Sequence, residues 1–363
     1  MRESWPTVLI TDETLRDGLQ IERPGVSVDE KLELLDMLVD AGLRRLVVGA
    51  FVNPAWSPQM AGTLELVQRL EPVDGVEFFA LALNDRGGEE RRRHAPPLCI
   101  DPMPVTHLHL CPIFLQRNTN RAWEDQERAW RLPVDRAREA GAAQASMGLS
   151  AAWGSNWSGP FTVEQRMAAL RRQHEAWADA GIEVVRVDLA DPMGWNTPMA
   201  VEEDILEIKR RFPSVRQFHL HLHNTRGLAM LSAHAALRVL SPEDTLIVDA
   251  AVGGIGGCPY CGNGQGTGMI PTEDFVQLLA SLGIGTGIRL DKLIDASARL
   301  AGILGRRLHS QVALNGPLPA RDERYSPDLP VVYTFEEAQH FRLGPSTCTG
   351  NARPWLRQAA MNK

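Results

Sequence analysis

Two short stretches hold most of the residues able to do chemistry. Near the start, Thr11 to Gln20 reads TDETLRDGLQ and follows the apolar run Val8-Leu9-Ile10, so Asp12, Arg16 and Asp17 stand just past the end of a buried strand. Much later, FHLHLHNTRG sets His219, His221 and His223 at alternate positions, which in a strand turns all three to one face of the sheet. A lone histidine in a strand is usually structural, and His219 is read that way. His221 and His223 with Asp17 make a two-nitrogen, one-oxygen facial set that holds a divalent metal and leaves positions open for a substrate binding through oxygen. Asn224 is placed to orient one of these histidines. Arg16 keeps its charge at any working pH and offers a planar fork of donors, which suits a carbonyl or enolate oxygen where negative charge develops. Asp12, Asp188 and Asp191 either pair with this arginine, hold the histidines or touch substrate.

After Asp249 comes the glycine-rich stretch AAVGGIGGCPYCGNGQGTG. Its glycines give the backbone freedom a lid needs, although a plain flexible connection reads the same. Cys258 within it is a proton donor or a bystander. Cys258 and Cys261 have CxxC spacing, but no second ligand pair lies close by, which argues against a zinc ribbon and against thioredoxin-like redox chemistry.

These residues must be brought together by the elements around them. Short runs rich in β-branched and aromatic residues, near 7–11, 44–49, 76–82, 105–110, 143–148, 182–188, 216–221 and 245–250, predict strands. Helical periods fall between and after them, near 28–41, 58–70, 85–94, 121–140, 163–180, 198–211, 227–240 and 272–283. Ser27 to Glu30 and Thr162 to Gln165 are capping boxes, and Thr197-Pro198 puts proline at a first helical position. Such repeated strand-helix units predict an α/β fold, a (β/α)8 TIM barrel over 1–285, with active residues at the C-terminal ends of the strands. The GxGxxG fingerprint of a doubly wound sheet does not follow the first strand. Residues 286–363 read as a C-terminal helical extension, with helices near 290–304 and 335–342 around a proline-rich segment, 315–330.

The bulk numbers set limits on partners. At 363 residues, with 44% hydrophobic and 23% charged residues, the chain has a sizeable core. A net charge of -7 and a pI of 5.8 give no electrostatic case for nucleic acid or an anionic membrane. The basic run Arg91-Arg92-Arg93-His94 follows Glu89 and Glu90 and reads as a solvated helix face. Five cysteines without framework spacing argue against a disulfide scaffold. No stretch is long and apolar enough to span a membrane, and MRESWPT lacks a signal-peptide core, so the expected location is cytoplasmic.

DETLRDGLQIE, FVNPAWSPQM, the DxxG of Asp191 to Gly194, HLHNTRG and GGIGGCPY resemble, in order and over about residues 7 to 285, the signature segments of the 3-hydroxy-3-methylglutaryl-CoA (HMG-CoA) lyases. These are TIM-barrel metallolyases, in a superfamily that also holds Claisen-type synthases and hydroxy-oxoacid aldolases. The resemblance implies that Asp17, His221 and His223 bind Mg²⁺ or Mn²⁺, with Zn²⁺ a further option. It implies that Arg16 stabilises an enolate oxygen, that Cys258 serves acid-base chemistry from a mobile loop, and that Asp191 lies near the substrate hydroxyl. Val47 replaces a family glutamate, and Thr267 stands where the lyases have an asparagine ligand, which leaves Asn263 as the nearby candidate. DETLRDG leans toward the synthases, and RDGLQ, PQM and GGCPY toward the lyases. The expected function is metal-dependent cleavage of a carbon-carbon bond in an HMG-CoA-like hydroxyacyl-CoA or related hydroxy acid. The alternatives are a synthase or aldolase of the same superfamily and a non-catalytic metal-binding subunit. The expected partners are a small-molecule substrate, an acyl-CoA, and a second copy of the chain in a homodimer.

Overall fold

The computed structural model describes residues 4–82, 85–101, 103–261 and 268–319, together with Arg324 and Thr334. Eight strands carry the expected alternation: β1 (Thr7–Asp12), β2 (Arg45–Phe51), β3 (Glu77–Ala82), β4 (Val105–His109), β5 (Gln144–Ser150), β6 (Glu183–Asp191), β7 (Gln217–Leu222) and β8 (Thr245–Ala251). All pair in parallel, and the curled sheet runs β3-β2-β1-β8-β7-β6-β5-β4. β1 lies against β8 along its whole length, from Thr7 opposite Thr245 to Asp12 opposite Ala250. First strand beside last is what bends a run of strand-helix units into a (β/α)8 barrel, and that is the fold. Among the described residues no ladder joins β3 to β4; a single bridge links Phe78 to Leu98 beside that seam.

The crossover helices are α1 (Val28–Asp40), α2 (Thr63–Gln68), α3 (Asp85–Arg93), α4 (Arg131–Glu139), α5 (Val163–Asp179), α6 (Pro198–Arg211), α7 (Ala229–Val239) and α8 (Thr272–Ser281). Both capping boxes form, and the Thr197 side chain accepts from the Ala200 amide ahead of Pro198. The helix expected over 121–140 is broken instead. A helix over Pro112–Thr119 stops at Asn120, whose φ of 53° is left-handed, and a turn at Asp125–Arg128 precedes α4. Asparagine takes that conformation more readily than most residues, so it ends the helix at little cost. The helix expected over 58–70 likewise becomes a 3-10 turn at Pro58–Met60 and then α2.

Alternation sorts the strand residues between two environments. Val187, Leu189, Phe218, Leu220 and Leu222 are fully buried against the helical layer, whereas Arg186, Asp188, His219 and His221 face the lumen as a polar column. α9 (Leu290–Leu304) joins the same apolar core through Leu293, Ala296 and Leu300. Arg299 on α9 also forks onto both carboxylate oxygens of Glu33 on α1, at 2.8 and 2.7 Å. The helix expected over 335–342 lies outside the described residues, as do 320–323 and 325–330 of the proline-rich segment. No helix among the described residues is long and apolar enough to cross a membrane.

Candidate metal centre

The turn after β1 determines how Arg16 and Asp17 reach the barrel mouth. Asp12 accepts from the Thr14 amide and hydroxyl at 3.1 and 2.9 Å, and the Thr14 hydroxyl in turn accepts from the Val252 amide at 2.9 Å. The chain then makes one π-helical turn, Thr14–Gly18, closed by the Gly18 amide on the Glu13 carbonyl at 2.9 Å. Wide single turns of this kind recur at functional sites because they re-aim side chains without ending the element. Here Arg16 and Asp17 both face the ends of β7 and β8.

One ligand atom each of Asp17, His221 and His223 lies within 4.8 Å of the other two. His221 Nε2 is 3.8 Å from Asp17 Oδ2, and His223 Nε2 is 3.9 Å from Asp17 Oδ1. His223 is buried, and neither ring nitrogen has a hydrogen-bond partner. A buried polar atom without a partner is costly, and a metal ion in the centre of this trio would supply one. The donor set also has the composition that suits an octahedral divalent ion. Burial drives the His223 imidazole down to about 4, against the pull of Asp17, so it is neutral and able to ligate at neutral pH. For Asp17 burial pushes upward, but Arg16, His223 and His221 outweigh it and hold the carboxyl below its usual range.

Three neighbours fix the trio. Arg16 Nη1 donates to Asp17 Oδ2 at 2.9 Å and its Nε to Glu13 at 2.6 Å. Gln20 Nε2 donates to the same Asp17 oxygen at 2.7 Å and to the Gly257 carbonyl at 3.0 Å. Asp249 divides its oxygens between two histidines, Oδ2 lying 2.8 Å from His221 Nδ1 and Oδ1 2.7 Å from His219 Nε2. With Nδ1 turned to a carboxylate, His221 presents Nε2 toward Asp17, a common way of setting the tautomer of a metal ligand. His219 is satisfied on both sides, by Asp249 and by Asp188 Oδ1 at 2.8 Å. Burial lowers its affinity for a proton, yet the two carboxylates raise it to about 10, so the ring carries charge inside the lumen. The structural reading of His219 thus holds.

The glycine-rich loop lies directly on Asp17. The Gly257 amide donates to Asp17 Oδ1 at 3.0 Å, and a Cβ on Gly256, where φ is +127°, would meet that oxygen at 2.9 Å. Cys258 follows, partly exposed, and a hydrogen bond with Cys261, ahead of opposing burial, lowers its thiol. Cys261, Cys111, Phe114, Ala151 and Met193 form a separate apolar cluster roofed by Trp157, Phe161 and Trp195. Asn263 and Thr267 lie outside the described residues.

Two residues named with the centre have their hydrogen bonds outside the trio. Asp191 shares the outward parity of Val187 and Leu189. Its Oδ2 accepts from the Asn196 amide and side chain at 2.5 and 2.7 Å, and Asn196 accepts in turn from Ser232 on α7 at 2.8 Å. It fastens the turn after β6 to the helical layer and does not join the trio. Asn224 accepts from the Ala229 amide at 3.1 Å, starting α7, and does not orient a histidine. Conversely, Glu13, Gln20 and Asp249 belong to the centre but were not singled out as site residues. Asp249 was legible, because pairing Ile247 with His219 sets it beside His221. Glu13, His221 and Asp249 form a second set of atoms within 4.8 Å.

Comparison with known proteins gives the family. A family model described as HMGL-like matches residues 7–300. The hydroxymethylglutaryl-CoA lyase of Pseudomonas mevalonii is 31% identical over 309 residues, covering 85% of this chain and 96% of the relative. A 3-hydroxy-3-isohexenylglutaryl-CoA/hydroxy-methylglutaryl-CoA lyase of Pseudomonas aeruginosa is 31% identical over 298 residues, covering 82% and 93%. An HMG-CoA lyase from Acinetobacter baumannii, solved with coenzyme A and 3-methylmalate, superposes with a TM-score of 0.72 at 26% identity, covering 89% of this chain and 98% of that one. The match runs from the first residue of β1 into α9 and takes in every strand that feeds the trio, and the chain belongs to the HMGL-like family of enzymes.

Proposed function

We propose that the chain is a divalent-metal-dependent carbon-carbon lyase that cleaves a 3-hydroxy-3-carboxyalkyl thioester of coenzyme A, of the HMG-CoA kind. The observation that carries this reading is the convergence of Asp17, His221 and His223 with Arg16 hydrogen-bonded to Asp17. The lyase names of the relatives and the coenzyme A in a solved neighbour support it. Asp17, His221 and His223 would hold the ion, magnesium or manganese before zinc, with Asn263, the asparagine nearest the position where the lyases have a ligand, as the candidate for a fourth. When bound, such an ion supplies Lewis acidity that makes the substrate hydroxyl easier to deprotonate.

The residues do the rest. Glu13, whose carboxyl burial raises despite Arg16 and which lies beside His221, takes the hydroxyl proton. The bond between the hydroxyl-bearing carbon and the thioester α-carbon then breaks. One fragment leaves as an oxo acid and the other as a thioester enolate, whose oxygen Arg16 stabilises. Cys258 returns a proton to the enolate carbon and yields the acyl-CoA. The unit in solution is a homodimer, by resemblance. The test is release of acetyl-CoA from HMG-CoA, and from analogues with longer 3-substituents, by protein loaded with Mn²⁺. Arg16→Gln lowers turnover by about a hundredfold or more while leaving Mn²⁺ binding intact, because it removes one positioned donor to developing charge. Turnover near that of the parent in this variant overturns the mechanism.

A further inference from the structure

The proposed reaction uses the Cys258 thiol but leaves its partner in the Cys258-Pro259-Tyr260-Cys261 turn without a task. The Cys261 amide donates to the Cys258 carbonyl at 3.2 Å, which closes a tight turn, and the two thiols hydrogen-bond to each other. Both are free. Cys258 is partly exposed, whereas Cys261 is fully buried in the apolar cluster. The turn is held from two sides: Arg117 Nε donates to the Tyr260 carbonyl at 3.1 Å, and Asn156 Nδ2 to the Cys261 carbonyl at 2.9 Å. The other buried thiol of the cluster, Cys111, already accepts from the Phe114 amide and the Ser158 hydroxyl, each at 3.4 Å. A thiol that solvent reaches, in contact with a sheltered thiol three residues on, is the arrangement of an attacked and a resolving cysteine.

We propose that Cys258 and Cys261 form a reversible oxidation site at which a peroxide converts the pair to a disulfide and so switches the enzyme off. In the first step the Cys258 sulfur attacks one peroxide oxygen; the O–O bond breaks, Cys258 becomes a sulfenic acid, and the other oxygen leaves as water or an alcohol. In the second, the Cys261 sulfur attacks the Cys258 sulfur, the S–O bond breaks, and a second water leaves. Two thiols are oxidised and one peroxide is reduced. A dithiol reverses the change by exchange. Disulfides in reducing compartments are commonly transient and regulatory, which suits a pair placed over a reaction centre. The effect on turnover rests on the proposed role of Cys258; formation of the bond does not.

The test is oxidation of the pre-reduced full-length protein with hydrogen peroxide, followed by peptide mass mapping and by turnover. The expected result is a Cys258–Cys261 link forming as turnover is lost, with both changes reversed by dithiothreitol. Cys261→Ser, with Cys261→Ala to separate packing from chemistry, keeps parental turnover before oxidation. After peroxide these variants carry Cys258 as sulfinic acid, and dithiothreitol no longer restores them. Mapping needs no substrate, so a link formed in a protein without lyase turnover refutes the proposed function and leaves the oxidation site standing. Peroxide that drives parental Cys258 straight to sulfinic acid, joins it to Cys111, or leaves it reduced overturns the proposal.

Discussion

The wall of the centre and the loop that covers it are held by opposite means. On the wall, side chains meet side chains: Arg16, Gln20, Asp249 and His219 each bond through their own polar atoms, and Asp17 is engaged on both oxygens. On the loop the contacts with Asp17 and Gln20 come from the Gly257 backbone, and the chain passes so close that Gly256 has no room for a methyl group. The wall therefore depends on which side chains are present, and the loop on their absence. That division suits the proposed ligand set, fixed beneath the proposed proton donor on a separable segment.

Substitutions that test the division are expected to differ in both size and readout. Asp17→Ala has the largest effect: it removes the carboxylate shared by Arg16, Gln20, Gly257 and the two histidines, so Mn²⁺ binding and turnover are lost together, as titration calorimetry and assay would record. Mn²⁺ binding that survives breaks the assignment of the trio. Asp249→Asn comes next, weakening Mn²⁺ by about 10- to 100-fold, the usual consequence of losing a carboxylate behind a ligating histidine. Unchanged affinity there shows that Asp249 shapes the lumen alone. On the loop, Gly256→Ala costs about 1–3 kcal/mol of stability in denaturant unfolding through a forced left-handed residue. Turnover falls in that variant, while Mn²⁺ affinity changes less than in Asp249→Asn; the reverse order would make the loop part of the wall. The smallest effect is on the helical side of β6, where Asp191→Asn keeps turnover within a few-fold of the parent. A loss as large as that of Arg16→Gln returns Asp191 to the chemistry.

Much of this was written in the alternation of the sequence. His221 and His223 share a face because they are two residues apart, and Arg16 and Asp17 follow a short apolar strand, so the trio was readable before any coordinates. The same rule would have placed Asp191, since it stands at even spacing from Val187 and Leu189, the apolar outer face of β6. Ending the strand at 188 hid that parity, and the strand in fact runs to Asp191. Gln20 was harder to read, because its role comes from a loop more than two hundred positions away folding onto it, and no local pattern encodes such a contact. The break in the helix expected over 121–140 was equally hidden: helical periodicity records which residues are apolar and gives no warning that the chain leaves the helix after Arg128 and re-enters it at Arg131.

The missing ladder between β3 and β4 bears on how the barrel breathes. Among the described residues the facing edges of these two strands are bonded by flanking groups and not by each other: the Cys99 amide donates to the Phe78 carbonyl at 2.7 Å, the Trp130 indole to the His107 carbonyl at 3.0 Å and the His109 amide to Gln126 at 2.8 Å, so opening this seam breaks no strand ladder. That seam lies three strands from β8 in one direction and four in the other, across the barrel from the strands that carry Asp17, His221 and Asp249. Fluctuations of the sheet can thus be spent at one side of the cylinder while the ligand geometry at the other stays fixed.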